Sequence, residues 1–244
     1  MSIIKTKSFK LASYYKGDPA SPKFALVLPG RLDTKDYPHM LSHVDYLASR
    51  GIFALTFDPP GTWESPGDID LYTMTNYYKA IDELIEYYGN KPTVLIGHSR
   101  GGSLAMLAGM HNLAVSHIIT AMSNISASKK GEGDIQNGVE ISYRDTPPND
   151  SKNKKRFDLS LSYFQDAMKY DILEDLKKCT KPKLLFLGTQ DTIVKPDIVK
   201  KAYQVAAEPK ELHELESEHD YRRHKEIIDE VNETIGKFLD DYKF

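Results

Sequence analysis

Short apolar runs along the chain alternate with longer segments whose apolar residues recur at helical spacing. Phe24–Leu28 has the sequence FALVL, which leaves no polar face, and Ile52–Phe57 is a similar run. Such runs are typical of strands buried on both faces of a sheet. Between them, Tyr37–Arg50 has helical spacing and ends before Gly51, a residue favoured just beyond a helix. The pattern predicts a strand-helix-strand unit packed against a parallel sheet.

The same alternation continues to the end of the chain. Further strands are predicted at Ile3–Phe9, Leu11–Tyr15, Thr93–Ile96, His117–Ala121, Lys183–Leu187 and Glu211–Leu215. Further helices are predicted over residues 71–88, 103–110, 197–207 and 222–240. The first two strands of this set fit an antiparallel pair, whereas strands separated by helices pair in parallel. We therefore predict an α/β fold with a mostly parallel central sheet flanked by helices.

Residues 126–181 interrupt this alternation. Their first half is rich in Gly, Pro, Asn and Lys, and residues 159–178 have a helical pattern. The first half includes a short basic run that we expect to be a solvated loop: Lys152, Lys154, Lys155 and Arg156. Long insertions in compact domains are often lids or binding elements. We therefore predict one domain over residues 1–244, with a cap inserted at 126–181.

Composition narrows the class of protein. The formal net charge is -3, with 40% hydrophobic and 27% charged residues, which supports a folded core and disfavours nucleic acid as a partner. No apolar run approaches the roughly 18 residues that span a bilayer, and the first residues lack the apolar core of a secretory signal. Cys179, the only cysteine, fits a reducing compartment. We expect a cytoplasmic protein without stable membrane insertion.

The candidate chemistry begins at a G-x-S-x-G pattern formed by Gly97, Ser99 and Gly101. It directly follows a predicted buried strand and directly precedes a predicted helix. In this setting the serine occupies a sharp, strained turn with its hydroxyl exposed above the sheet, and the flanking glycines relieve the crowding. A glycine-rich turn without catalytic function is the alternative interpretation. The strand-turn-helix context favours a nucleophile.

A serine nucleophile needs a base and a group that orients the base. In folds with this turn, the acid and then the histidine follow the serine, each after a later strand. Asp191 follows one predicted strand and His219 follows the last one. Each alone fits an ordinary loop residue, but their order and placement favour a triad with Ser99. His213 within a strand and His224 within the terminal helix are weaker candidates for the base.

Four segments resemble the α/β hydrolases, and the resemblance covers nearly the whole chain. They are LVLPGRLDT, FDPPGTWESPG, IGHSRGG and GTQDTIVKP, and His219 follows them at about the usual distance. The chain is similar to small bacterial carboxylesterases, including the cinnamoyl and feruloyl esterases and monoacylglycerol-lipase-like enzymes. The resemblance implies an α/β-hydrolase fold with an inserted cap, no cofactor and a small-molecule ester substrate. It also implies hydrolysis through an acyl-enzyme intermediate.

The resemblance further implies an oxyanion hole made by the backbone N–H groups of Arg31 and Arg100. The family usually has His-Gly where this chain has Pro29-Gly30, so Leu32 is an alternative donor. The motifs also predict a substrate site that includes Gly30, Leu32, Trp63 and His98.

Several alternatives remain open from the sequence. The Arg31 and Arg100 side chains either bind an acidic group of the substrate or, as we favour, point to solvent or to acidic neighbours such as Asp33 and Glu64. His39 and His43 have the spacing of helical metal ligands, but no third ligand is evident, and no metal is predicted. The same triad also serves thioesterases, acyltransferases and peptidases. A non-catalytic binding protein with this fold is the rival from another class.

Overall fold

The computed structural model describes residues 2–124, 135 and 138–244. Its strands are β1 (Ser2–Lys5), β2 (Lys10–Lys16), β3 (Phe24–Leu28), β4 (Phe53–Phe57), β5 (Thr93–His98), β6 (Val115–Ala121), β7 (Val139–Thr146), β8 (Asp150–Ser160), β9 (Lys183–Gly188) and β10 (Lys210–Leu215). Its helices are α1 (Pro38–Ser49), α2 (Met74–Tyr87), α3 (Arg100–His111), α4 (Leu161–Ala167), α5 (Leu173–Leu176), α6 (Pro196–Val205) and α7 (Lys225–Asp241). Short 3-10 turns cover Ile69–Leu71 and Tyr221–Arg223.

One sheet contains eight strands in the order β1-β2-β4-β3-β5-β6-β9-β10. Strand β2 runs antiparallel to β1 and to β4, and the remaining neighbours in this sheet are parallel. The predicted α/β class, the mostly parallel sheet and the antiparallel pair at its start are therefore confirmed.

Helices cover both faces of this sheet. Strands β3, β4, β5 and β9 are buried along their whole length, because their neighbours and the flanking helices exclude water on both sides. One apolar cluster unites side chains of α2, α3 and α6 with one face, and a second unites those of α1 and α7 with the other. Among the helices of the described residues, none combines the length and the apolar character that crossing a membrane requires.

The topology brings three loops to one edge of the sheet. Strands β5, β9 and β10 are parallel members of the same sheet, so their carboxyl ends point the same way. Ser99 follows β5, Asp191 lies in the loop after β9, and His219 lies in the loop after β10. The carboxyl edge of an open α/β sheet is where such folds hold their ligands.

The segment between β6 and β9 differs from the predicted loop. Strands β7 and β8 pair as an antiparallel two-stranded sheet of their own. The basic run at 152–156, expected in a solvated loop, lies on β8, where all of its residues are exposed except the half-buried Lys155. Because this part of β8 has no buried apolar positions, it carries no alternating pattern that would predict a strand. Residues 126–134 and 136–137 of the predicted cap lie outside the described residues.

Two helix predictions also need correction. The predicted helix over 159–178 is two short helices, α4 and α5, because β8 extends to Ser160. His224 does not lie inside the terminal helix: it is the residue that precedes α7, with an extended backbone.

Candidate active site

Ser99 occupies the sharp turn between β5 and α3. Its backbone has φ 50° and ψ -116°, and residues other than glycine seldom adopt a positive φ. Its N–H donates to the Ala121 carbonyl at 2.8 Å, and its carbonyl accepts from the N–H groups of Gly102 and Ser103 at 3.1 Å each. Strained backbone of this kind persists where the surrounding structure fixes it, and it is concentrated at functional sites.

The glycines on either side of Ser99 allow close backbone packing. A Cβ atom on Gly97 would lie 2.3 Å from the Gly101 carbonyl carbon, and one on Gly101 would lie 2.1 Å from the Leu28 carbonyl oxygen. Both obstacles are backbone atoms, which cannot rotate away. The turn therefore depends on the two glycines of the motif.

We expect Gly101→Ala to destabilise the protein by about 1–3 kcal/mol or more and to displace Ser99, because the backbone of β3 must move. Gly109→Ala on the same helix is the matched control. Its added Cβ would meet the Ile118 side chain at 2.5 Å, and a side chain can change rotamer. Unfolding free energies and ester hydrolysis of the two variants test this. Equal stability and activity in both would contradict the role of Gly101.

Ser99, His219 and Asp191 form a continuous chain of contacts. His219 Nε2 lies 3.0 Å from Ser99 Oγ, and His219 Nδ1 lies 2.7 Å from Asp191 Oδ2. An ionised carboxylate only accepts hydrogen bonds, so Nδ1 carries the proton and Nε2 of the neutral ring is free to accept the Ser99 proton. The Asp191 side chain is fully buried, and its Oδ1 accepts from the N–H groups of Ile193 and Val194 at 2.8 and 2.9 Å. The sequence-predicted triad residues are thus brought together.

The loops that carry the acid and the histidine are joined to each other. The N–H of Gln190 donates to the Ser217 carbonyl at 3.1 Å, and the N–H of Thr189 donates to the Leu215 carbonyl at 2.9 Å. A Cβ atom on Gly188 would lie 2.6 Å from the Ser217 carbonyl oxygen, so a glycine is needed where the loops approach. These bonds fix the positions of Asp191 and His219 relative to each other.

The two backbone N–H groups of the predicted oxyanion hole have no acceptor among the described residues. Arg100 is the first residue of α3, so its N–H is one of the donors that a helix leaves without a partner. Among the described residues, no acceptor is found for the backbone N–H of Arg31 or of Arg100. The N–H of Leu32 donates instead to the Tyr72 hydroxyl at 3.1 Å, so it is engaged elsewhere. This arrangement favours Arg31 over the alternative donor Leu32.

Side chains far apart in sequence hold the loop that carries Arg31. The Arg144 guanidinium of β7 donates to the Arg31 carbonyl at 3.0 and 2.8 Å, and the Tyr77 hydroxyl donates to the Pro29 carbonyl at 3.1 Å. The Trp63 indole N–H donates to the Leu32 carbonyl at 2.9 Å. Sequence reasoning missed Arg144, because a lone arginine in the insertion carries no local signal.

The residues predicted to bind substrate lie in different surroundings. Leu32 and His98 are buried, at 0% and 3% exposure, and both bond to neighbouring loops. Trp63 supports the Arg31 loop and packs against Phe157 with ring centroids 5.4 Å apart. A Cβ atom on Gly30 would lie 2.4 Å from the Asp33 carboxylate, so Gly30 allows close packing. These positions favour support of the site over contact with substrate.

The two arginine side chains do not have the acidic neighbours that the sequence suggested. Arg31 forms an ion pair with Glu140 of β7, 109 residues away in the sequence, and also donates to Ser142. Asp33 faces Arg144, and Glu64 pairs with Lys35. Arg100 points toward Met74 and the Tyr163 ring. Arg31 thus pairs with an acidic side chain, the alternative that we favoured, but its partner is Glu140 and not Asp33 or Glu64.

Comparison with known proteins identifies the architecture. Residues 26–139 match a family model described as the alpha/beta hydrolase fold. The solved structure of Est1E from Butyrivibrio proteoclasticus with ferulic acid bound superposes with a TM-score of 0.81 over 99% of each chain, at 18% identity. The chain has the α/β-hydrolase fold. This confirms the resemblance that the sequence motifs predicted.

Other solved α/β-hydrolase structures superpose over nearly the full length. Alpha/beta hydrolase domain-containing protein 10 from mouse has a TM-score of 0.79 at 18% identity, covering 98% of each chain. A monoacylglycerol lipase from Paleococcus ferrophilus has a TM-score of 0.75 at 19% identity, covering 95% of this chain and 99% of the lipase. No curated protein matches the sequence. At sequence identities of 18% and 19%, these similarities show a shared fold.

Beneath the triad of this α/β-hydrolase fold lies a buried polar group. His98 Nε2 donates to the His219 carbonyl at 3.0 Å, and Nδ1 faces the Asp33 carboxylate at 3.4 Å. Burial works to raise the pKa of Asp33, but its interactions with His98 and Arg144 hold that pKa well below its usual range. Asp33 thus faces His98, and His98 bonds to the loop that carries the candidate base.

Two further histidines are buried in neutral form. Burial lowers the pKa of His43 to about 4. Burial, together with the charge of His98, lowers the pKa of His39 well below its usual value. His43 is bonded to Asn232 and Tyr221, whereas neither ring nitrogen of His39 has a partner among the described residues.

The low pKa values of His39 and His43 predict that the folded protein loses stability as the pH falls. Below pH 6.5, the ordinary pKa of histidine, His43 of the unfolded chain binds a proton, whereas His43 of the folded protein, with its pKa of about 4, stays neutral. The free energy of unfolding therefore falls with decreasing pH in this window, by about 1.4 kcal/mol per pH unit for each such group. We expect His39→Met to reduce this slope by about that amount between pH 6.5 and 5. The exposed His111→Met is the control, and equal slopes in the two variants would contradict the prediction.

Two groups of described side chains bring potential metal ligands within 4.8 Å of one another. They are Asp33 with His39 and His98, and Asp36 with Asp58 and Glu64. The guanidinium of Arg144 lies 3.6 Å from Asp33, and the Lys35 ammonium lies 2.5 Å from both Asp36 and Glu64. A cation of the chain itself thus faces the carboxylates of each group, and we assign neither group a metal.

Proposed function

We propose that this protein is a serine hydrolase of carboxylic esters, with Ser99 as nucleophile, His219 as general base and Asp191 as the group that orients His219. The observation that carries the proposal is the contact of His219 Nε2 with Ser99 Oγ at 3.0 Å, opposite the Nδ1 contact with Asp191. Nucleophile, base and orienting acid in hydrogen-bonding reach are the arrangement that acyl transfer requires.

The first half of the reaction forms an acyl-enzyme. Ser99 Oγ attacks the ester carbonyl carbon while His219 Nε2 takes the hydroxyl proton. The carbonyl oxygen becomes an oxyanion, which accepts hydrogen bonds from the backbone N–H groups of Arg31 and Arg100. The tetrahedral intermediate then expels the alcohol oxygen, which receives the proton from His219. The positive charge that His219 carries meanwhile is balanced by Asp191.

The second half releases the acid. A water molecule gives its proton to His219 Nε2 and attacks the acyl carbon, and the oxyanion forms again at the same two N–H groups. Collapse of this intermediate breaks the bond to Ser99 Oγ, which regains its proton from His219. The cycle consumes ester and water and yields acid and alcohol.

The substrate class rests on two supports. The bonded triad favours an enzyme over a binding protein, since a binding function gives no reason for the pairing of Ser99, His219 and Asp191. Esters are favoured over amides and thioesters because Est1E, with ferulic acid bound, and a monoacylglycerol lipase share this fold over nearly their whole length. In this proposal the described part of the predicted insertion, which forms β7, β8, α4 and α5, covers the acyl group.

We expect the purified protein to hydrolyse p-nitrophenyl and hydroxycinnamoyl esters with a higher kcat/KM than the matched thioesters or anilides. Matched substrates share the acyl group and differ only in the atom that leaves. The measurement is initial-rate kinetics across acyl chain lengths, with Ser99→Ala as the background. Turnover of the thioester or anilide, with none of the ester, would overturn the substrate class and leave the triad in place.

A further inference from the structure

Two neighbouring residues of the inserted hairpin contact both loops that carry the candidate catalytic groups. Arg144 and Asp145 lie near the end of β7, and successive side chains of a strand point to opposite sides. Arg144 bonds to the oxyanion loop, residues 29–34, which carries Arg31. Asp145 bonds to the base loop, residues 216–224, which carries His219. The Arg144–Asp145 pair therefore connects the two loops.

Arg144 fixes the oxyanion loop at a backbone carbonyl. Its Nε and one terminal nitrogen donate to the Arg31 carbonyl at 3.0 and 2.8 Å. The candidate donor N–H belongs to the same residue and lies on the adjacent planar peptide group, so the carbonyl contact limits the direction of that N–H. Leu32, the next residue, has φ 58°, which residues other than glycine seldom adopt. A strained loop of this kind depends on contacts from the surrounding structure.

A buried carboxylate links Arg144 to the base itself. Asp33 Oδ1 lies 3.6 Å from Arg144 Nε, and Asp33 Oδ2 lies 3.4 Å from His98 Nδ1. His98 Nε2 in turn donates to the His219 carbonyl at 3.0 Å. A row of polar groups thus runs from β7 to the backbone of the candidate base.

Asp145 joins the hairpin to the residues that follow the base. Its Oδ2 accepts from Arg222 and from Arg223 at 3.0 Å each. Burial works to raise the pKa of Asp145, but its bonds to the two arginines hold that pKa below its usual value. Arg222 is 4% exposed, and a guanidinium so deeply buried requires a charged partner. Because both arginines follow His219 closely along the chain, these ion pairs limit movement of the base loop.

We propose that Arg144 and Asp145 are positioning residues, which hold the Arg31 N–H and the His219 ring in the relative placement that the tetrahedral intermediate requires. The hairpin then completes the active site as well as covering the acyl group. Donors fixed in advance stabilise an oxyanion because they need not reorganise during the reaction. Loss of the pair therefore weakens stabilisation of the transition state more than binding of the substrate. The inference rests on the proposed function and adds two residues to it.

Kinetics on a short and a long ester test this role. We expect Arg144→Gln to lower kcat by about 10- to 100-fold and Asp145→Asn by about tenfold, with KM changed by less than about twofold. The loss should be equal for p-nitrophenyl acetate and p-nitrophenyl octanoate. A hairpin that only covers the acyl group would instead raise KM for the octanoate and spare the acetate. That result, or an unchanged kcat on both esters, overturns the proposal.

Matched variants separate positioning from folding. Arg156→Gln and Asp158→Asn make the same chemical changes in an exposed ion pair of β8, and they should keep the wild-type kcat. Arg144→Lys keeps a positive charge beside Asp33 but loses the guanidinium that donates through two nitrogens, so we expect it to recover part of the kcat. All rates are normalised to folded protein, measured by thermal unfolding. Equal losses of kcat in Arg156→Gln and Arg144→Gln overturn the proposal.

A reversible tetrahedral adduct reports the oxyanion hole directly. With a trifluoromethyl ketone, Ser99 Oγ bonds to the carbonyl carbon, His219 takes the hydroxyl proton, and the carbonyl oxygen becomes an oxyanion. We expect Arg144→Gln to raise the inhibition constant of the ketone by the same factor by which it lowers kcat/KM. An unchanged inhibition constant overturns the proposal.

Hydrogen exchange separates this inference from the proposed function, because it requires no turnover. In Arg144→Gln we expect peptides covering residues 29–34 and 216–224 to exchange about fivefold faster, whereas peptides of α6 keep the wild-type rates. If the wild-type protein hydrolyses no ester and both loops still exchange faster in the variant, the proposed function fails and the connection between the loops stands. Wild-type exchange in both loops of Arg144→Gln overturns the inference even where esters are hydrolysed.

Discussion

Replacing Ser99 with alanine is expected to lower kcat/KM for a carboxylic ester by about 10⁵-fold, close to the background rate. The reason is that Ser99 Oγ forms the covalent bond to the acyl group, and no other hydroxyl lies against His219 Nε2 in the described residues. The fold should remain intact, because the turn at Ser99 is held by its backbone bonds to Ala121, Gly102 and Ser103. Initial rates and thermal unfolding of the variant are the measurements.

Ser49→Ala is the matched control for this variant. Ser49 ends α1, and its hydroxyl bonds to the Tyr46 carbonyl at the surface. It should keep wild-type activity. An active Ser99→Ala protein, with the same substrate and an intact fold, would contradict the role of Ser99.

His219→Ala is expected to lose activity to nearly the same extent, because nucleophile and base act as one unit. Its ring alone bridges Ser99 and Asp191. The other two histidines near the end of the chain have different partners. His213 Nε2 lies 2.7 Å from Glu230 of α7, and His224 lies 3.6 Å from Glu218.

His213→Ala and His224→Ala should therefore retain most of the activity, measured on the same ester and normalised to folded protein. Loss of activity in either of them, with His219→Ala still active, would assign the base to a different histidine.

The sequence predicted the sheet well because its strands are buried on both faces. Runs such as FALVL at β3 have no polar position, and in a chain of this composition only burial on both sides accounts for them. The positions of Ser99, Asp191 and His219 followed from the same fact. Once the strands are located, the carboxyl edge of the sheet is located too, and residues after those strands converge there.

The hairpin of β7 and β8 was beyond prediction for a physical reason. Only Phe157 and Leu159 of β8 are buried apolar residues, so the periodic signal that identifies a half-buried strand is weak. Its stability comes from pairing with β7 and from contacts such as Arg144 with the Arg31 carbonyl. Partners separated by more than a hundred residues leave no local trace in the sequence.

The side chains around the candidate oxyanion hole could not be predicted from the sequence either. The sequence suggested Asp33 as a partner for Arg31, because the two are close along the chain. In the structure Glu140 pairs with Arg31 and Arg144 faces Asp33, so residues of the insertion decide how the charges beside Ser99 are paired. Substrate selection depends on such contacts, which the spacing of the catalytic motifs does not encode.

Covalent labelling tests the central claim most directly, because it reports the activated nucleophile itself. In the reaction with a fluorophosphonate, Ser99 Oγ bonds to phosphorus, fluoride leaves and His219 takes the proton. We predict that peptide mass spectrometry finds one phosphonate per chain, on Ser99, and that labelling is absent in Ser99→Ala and strongly slowed in His219→Ala. Failure of the folded wild-type protein to react, or attachment to a residue other than Ser99, would contradict the account.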